Sequence, residues 1–205
     1  MRRRKMTIAV ILMGAASACL NAQGRLTVAV FDYAGVPGAV MSPAVEMARR
    51  TFAAVGIETV WVVCEFGQAW PEGCTQPLPP VGRRVTMNVM PKMGAKQAHL
   101  AGSALTGPDT LYRPLAYASY ATVENLGEMT ERPVWLALGC VMTHEIAHLL
   151  GLPHRDRGVM RAALGWRQLD QARQGLGFTA AEDKQIREGA RRLTGALEAA
   201  EAARR

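Results

Sequence analysis

His144-Glu145-Ile146-Ala147-His148-Leu149-Leu150-Gly151-Leu152-Pro153-His154, with Met160 six positions further on, is the most informative stretch of this 205-residue chain. On a helix, His144 and His148 project from one face, one turn apart. Two imidazoles so spaced can share one tetrahedral zinc ion. Glu145 sits beside the first ligand without facing the metal, placed to take a proton from a zinc-activated water. Gly151 follows the last helical turn and can adopt the left-handed conformation that ends a helix sharply. Pro153 stiffens the returning chain, and His154 arrives as a third ligand. Three protein ligands leave a fourth position for water, the mark of a catalytic rather than a structural site. The chain has four histidines, three of them in this pattern. Two surface histidines on an amphipathic helix would not require Gly151 and His154 to follow in step.

The residues around this stretch predict a mixed sheet with helices packed on it. Residues 26–31 are a β-branched run and read as a strand. Ser42 is placed to cap a helix over 43–55, with Val45, Met47, Ala48, Phe52 and Val55 at helical spacing and Gly56 closing it. Residues 57–64 are nearly all apolar and read as a strand buried on both faces. Residues 84–90 alternate and predict a third strand, and 115–123 a fourth, amphipathic one. Between them, 91–111 are rich in Gly, Ala, Ser and Pro and predict no element. A long helix is expected from Thr130 or Glu131 to Leu150, then turns over 151–168. A last helix over 179–203 has Thr179 as its cap and Glu182 as capping-box partner. The first strand–helix–strand unit should be a right-handed crossover.

HExxHxxGxxH followed by a methionine is the signature of the metzincin clan of zinc peptidases, and residues 144–154 resemble it at every fixed position. The phrase HLLGLPH is especially similar to the matrixin and archaemetzincin branches. Gly158-Val159-Met160-Arg161 looks like a segment found after the zinc motif in small exported bacterial proteins. The resemblance implies an α+β, metzincin-like zincin fold: a mixed twisted sheet, an active-site helix and a C-terminal helix. It implies Zn2+ held by His144, His148 and His154, with Glu145 as catalytic base. It also implies Met160 as the Met-turn residue forming an apolar floor beneath the ligands. Only five residues separate His154 from Met160, so the loop must be tight, and Gly158 permits it. Arg161-Ala162 follow the methionine, so the tyrosine that some branches place there is absent. Metzincin substrates lie along an edge strand, and 115–123 is the candidate by position, binding by strand addition.

The N-terminus reads as an address. Arg2–Lys5 precede an apolar run from Met6 to Ala18 and then small residues, the layout of a signal peptide over 1–22. Cleavage after Ala22 leaves Gln23 first and a single zinc-peptidase domain over 23–205. Cleavage after Ala18 leaves Cys19, as in a lipoprotein, although Ala16 stands where a bulky residue is usual. Four of the formal +7 charges belong to Arg2–Lys5, which leaves +3 for the remainder. That balance argues against a nucleic-acid partner. No segment of the mature chain is long and apolar enough to span a bilayer. The expected location is therefore periplasmic or secreted, where disulfides persist. Cys64 and Cys74 bracket a turn-rich segment and are the expected pair. Cys140, one turn before His144, reads as a small buried apolar residue rather than a ligand.

His99 is expected on a surface loop, with a substrate contact as the alternative. Tyr117 and Tyr120 should point to opposite faces of their strand, and Trp166 should pack beneath the site. The function these residues predict is peptide-bond hydrolysis in peptide or protein substrates. The competing reading is a non-catalytic zinc-binding module at the cell surface, against which the presence of Glu145 argues.

Overall fold

A computed structural model describes residues 25–67, 69, 71, 74, 84–97, 99–106 and 114–202. The expected signal peptide over 1–22, with Cys19, lies outside these residues. The strands are β1 (Leu26–Asp32), β2 (Thr59–Glu65), β3 (Arg84–Met90), β4 (Gly102–Leu105) and β5 (Leu115–Ser119). The helices are α1 (Gly38–Ala54), α2 (Tyr120–Thr130), α3 (Val134–Leu149), α4 (Trp166–Arg173) and α5 (Ala180–Ala202). The strands form one sheet in the order β2-β1-β3-β5-β4. Neighbours run parallel except β4, which is antiparallel to β5. This mixed sheet with packed helices is the α+β architecture expected.

The core is built on one sheet face, where Val28, Val30, Val85, Met87, Val89, Ala116 and Ala118 meet the helices. Helix α3 is buried continuously from Leu136 to Ala147. A helix apolar on all sides must be surrounded, and α3 touches α1, α2, α4, β3, β4 and β5. The approach of α1 is closest at Gly139. A β-carbon there would lie 2.6 Å from Met47 Cε and 2.8 Å from the Ala44 carbonyl oxygen. Asp32 ends β1 by accepting the backbone N–H groups of Ala34 and Val36 at 3.0 and 2.8 Å. Glu182 accepts the N–H of Thr179 at 2.6 Å, which secures the entry to α5.

Several elements differ from expectation. Helix α1 begins five residues early, after Pro37, and contains both Ser42 and Pro43. The missing Pro43 N–H costs one hydrogen bond, while the extra turn buries Met41. Strand β2 is an edge strand with residues 60–63 only half-buried, since β1 covers one side alone. The stretch expected to lack structure carries a 3-10 turn over Ala95–Gln97 and all of β4. Strand β5 stops at Ser119, and residues 120–123 begin α2, where Ser119 Oγ and Thr122 Oγ1 lie 2.9 Å apart across the first turn. The strand proposed for substrate therefore lies between β3 and β4 with both edges occupied, and among the described residues the sheet ends on that side at β4.

The long helix starts a few residues later than expected, at Val134, and residues 120–130 ahead of it, read as the end of a strand and a connector, form the separate helix α2. Glu131 takes a left-handed conformation that ends α2, and Pro133 precedes α3. The turns expected over 151–168 end early, at Trp166, where α4 begins and runs to Arg173. Tyr120 sits on a helix, so the two tyrosines do not share a strand. Trp166 does not pack beneath the site: it is 52% exposed at the start of α4, with the Arg167 guanidinium 5.1 Å from its ring centre. Among the described residues no helix is long and apolar enough to cross a membrane.

Candidate metal centre and cleft

Helix α3 delivers His144 and His148 from one face. The helix stops at Leu150, and Gly151 reverses the chain at φ +88°. The N–H groups of Gly151 and Leu152 return to the carbonyls of His148 and Ala147 at 2.9 and 3.0 Å. This turn brings His154 back over the helix end. Three ring nitrogens, one each from His144, His148 and His154, lie within 4.8 Å of one another. His144 is buried, His148 half-buried and His154 exposed, so the cluster opens to solvent from one side.

The second nitrogen of two rings fixes what the first can do. His144 Nδ1 donates to the Val159 carbonyl at 2.7 Å, and His148 Nδ1 to the Leu152 carbonyl at 2.6 Å. A carbonyl only accepts, so both hydrogens sit on Nδ1, and Nε2 of a neutral ring is then a bare lone pair. Burial keeps both rings neutral. It pushes His144 down to about 4, against the opposing bond to Val159, and lowers His148 in the same way. Yet the Nε2 atoms of His144 and His148 face each other at 2.9 Å, and those of His144 and His154 at 3.2 Å. The lone pairs of His144 and His148, so directed, repel unless a cation lies between them. Zinc–nitrogen bonds of about 2.0–2.1 Å in a tetrahedron separate the nitrogens by roughly 3.3 Å, so the donor set fits zinc in both chemistry and spacing.

The Val159 carbonyl belongs to a tight return loop. Gly158 takes φ +69°, the Arg155 N–H bonds the Met160 carbonyl at 2.8 Å, and the Val159 N–H bonds the Gly177 carbonyl at 2.8 Å. Met160 is fully buried immediately after the carbonyl that holds His144. Cys140 is buried on α3 and outside the histidine cluster, and burial pushes its thiol up. Cys64 and Cys74 are joined by a disulfide.

Glu145 is 5% exposed, and burial pushes its carboxyl up to about 8. A dication at the histidines would draw it down again. Glu145 and the three histidines line a cleft of about 780 Å³. One wall is the strand edge Gly102–Ala104 with His99 and Leu100, another is Asn125, Leu126 and Met129 of α2, and the third is Ala162–Leu164. His99 thus sits on an exposed loop that also borders the cleft. Gly102, the α2 wall and the 162–164 wall were not anticipated from sequence. Their residue types are ordinary, and only the path of the chain brings them to the histidines.

No family model and no curated protein matches the sequence. Among solved structures, the chain is similar to a zinc-dependent peptidase from Methanocorpusculum labreanum. That match has a TM-score of 0.54 and 14% identity, covering 78% of this chain and 99% of that one. It is also similar to the archaemetzincin from Methanopyrus kandleri, with a TM-score of 0.55 and 12% identity, covering 85% and 99%. At such identities the likeness concerns the fold.

Proposed function

We propose that the chain is an exported zinc metallopeptidase of metzincin type. The observation that carries this reading is the convergence of three imidazoles, two of them locked by backbone carbonyls with Nε2 bare and inward. The fold shared with two zinc peptidases supports it. His144, His148 and His154 would hold zinc through Nε2, and zinc held there would supply a Lewis acid and lower the pKa of a neighbouring water to near 7. Met160 backs the ligand cluster as the Met-turn residue.

Glu145 does the proton work. Its carboxylate accepts the proton of the attacking water and delivers it to the leaving amine as the peptide bond breaks. Among the described residues the outer edge of β4 is unpaired and offers the substrate a backbone to pair with. An extended peptide added there as a further strand would run past Glu145 and the histidines, with side chains reaching toward the α2 and 162–164 walls. The layout of residues 1–22 and the Cys64–Cys74 disulfide both support export into an oxidising compartment.

One protein pair tests this reading. Wild-type protein should carry about one zinc per chain and cleave members of a diverse fluorogenic peptide pool. Glu145→Gln keeps the shape and the ligands but cannot accept the proton. It should retain zinc and lose turnover by roughly 10²-fold or more. Full activity in the variant would refute Glu145 as the base, and equal behaviour of an inert pair would favour a binding module.

A further inference from the structure

We propose that Gly102, the first residue of β4, is a positioning residue for the Glu145 carboxylate. The lack of a side chain at this position lets the buried glutamate lie against the strand and remain in the cleft beside the histidines. The inference rests on the reading of Glu145 as base.

A β-carbon at Gly102 would stand 2.5 Å from Glu145 Oε1, 2.6 Å from its Cγ and 2.8 Å from its Cδ. Turning the carboxylate about its last bond would not relieve this, because Cγ is struck as well. Something nearer the backbone must move. Strand β4 cannot easily withdraw: its residues from Gly102 to Leu105 are all paired with β5, and the Ser119 N–H holds the Ala101 carbonyl at 2.8 Å. Helix α3 cannot withdraw either, since it is buried on every side from Leu136 to Ala147. The part able to yield is the Glu145 side chain, which would have to leave its rotamer and carry its carboxylate away from its present place. The three atoms nearest the added carbon all belong to Glu145, so the sharpest exclusion is directed at that residue.

Glycine here is therefore selected by the general base and not by the strand. Strand propensity by itself would favour a β-branched or aromatic residue here over glycine. A glycine needed only to let substrate approach the edge would act on binding. A glycine needed by the base acts on turnover.

The experiment is a double-mutant cycle with two readouts. Gly102→Ala should keep its zinc and lose kcat by roughly tenfold or more, with KM within about threefold of the parent. Its melting temperature should fall by about 4 °C or more, while in a Glu145→Ala background the same substitution should shift it by no more than about 1 °C. The thermal arm needs no activity. A parent inert on every peptide would count against the peptidase reading, and the contact would still be judged by the coupling. Where Gly102→Ala alone does not fold, Gly102→Ala/Glu145→Ala should. A kcat within about threefold of the parent, a loss confined to KM, a thermal penalty undiminished in the Glu145→Ala background, or a double variant that stays unfolded would each overturn the proposal.

Discussion

Each imidazole in the cluster has two nitrogens, and the backbone settles which one is free. The carbonyls of Val159 and Leu152 claim Nδ1 of His144 and His148, so these rings are aimed before any ion arrives. His154 is exposed and comes from the returning loop, which makes it the proposed ligand easiest to alter without disturbing the core. His154→Ala should fold and hold less than about half an equivalent of zinc after dialysis against a weak chelator. Trp166→Ala removes a larger side chain, but one that is half-exposed on α4 and far from any ligand role. It should keep its zinc in full. Elemental analysis of the two variants beside the parent checks both outcomes.

At the scale of elements, the crossing of α1 over α3 sets where the histidine-bearing helix lies. Gly139→Ala is favoured by helix propensity by about 0.8–1.0 kcal/mol. It is opposed by contact with Met47 Cε and, at 2.8 Å, with the Ala44 carbonyl oxygen. The methionine can turn aside, but the carbonyl belongs to the α1 backbone and cannot. Overpacking of this kind costs about 1–3 kcal/mol. A net loss of about 1 kcal/mol is therefore expected in urea unfolding, in a position where propensity alone predicts a gain. The disulfide acts at the same scale, closing the segment after β2 with a sequence separation of 10. Chain entropy gives such a closure about 2–3 kcal/mol. Cys64→Ser should lose that much stability, and non-reducing peptide mapping of the parent should recover Cys64 linked to Cys74.

For the whole molecule, pH and metal are coupled through two buried groups of opposite habit. His144 is held down at about 4, below its ordinary 6.5, so the stability it contributes is present above 6.5 and is lost as pH falls through 4. Glu145 is pushed up to about 8 from 4.5, so its contribution is present below 4.5 and is lost as pH rises through 8. Between 4.5 and 6.5 the two slopes oppose each other; between 6.5 and 8 only Glu145 acts. Chelator-treated protein should therefore lose stability over that upper interval, by at most about 2 kcal/mol at 1.36 kcal/mol per pH unit. Zinc should flatten the slope by stabilising the carboxylate, and Glu145→Gln should abolish it. Thermal melts at stepped pH, with and without zinc, check all three curves.

The features legible from the residues alone are local. The spacing of His144 and His148 by one helical turn, the left-handed Gly151, the tight loop at Gly158, the strands at 26–31 and 84–90 and the Thr179–Glu182 cap each depend on residues within a few positions of one another. Such patterns survive whatever surrounds them. The remaining features depend on contacts between distant segments. Strand β4 is four residues of Gly-Ser-Ala-Leu with no strand pattern of their own, and it exists because β5 supplies its hydrogen bonds. Residues 120–123 leave β5 for a helix because Val123 and Gly127 find burial together on one helical face. The cleft walls and the approach of Gly102 to Glu145 join segments far apart in the chain. No short-range pattern records such a meeting, because it is set by which edge of the sheet the buried helix crosses.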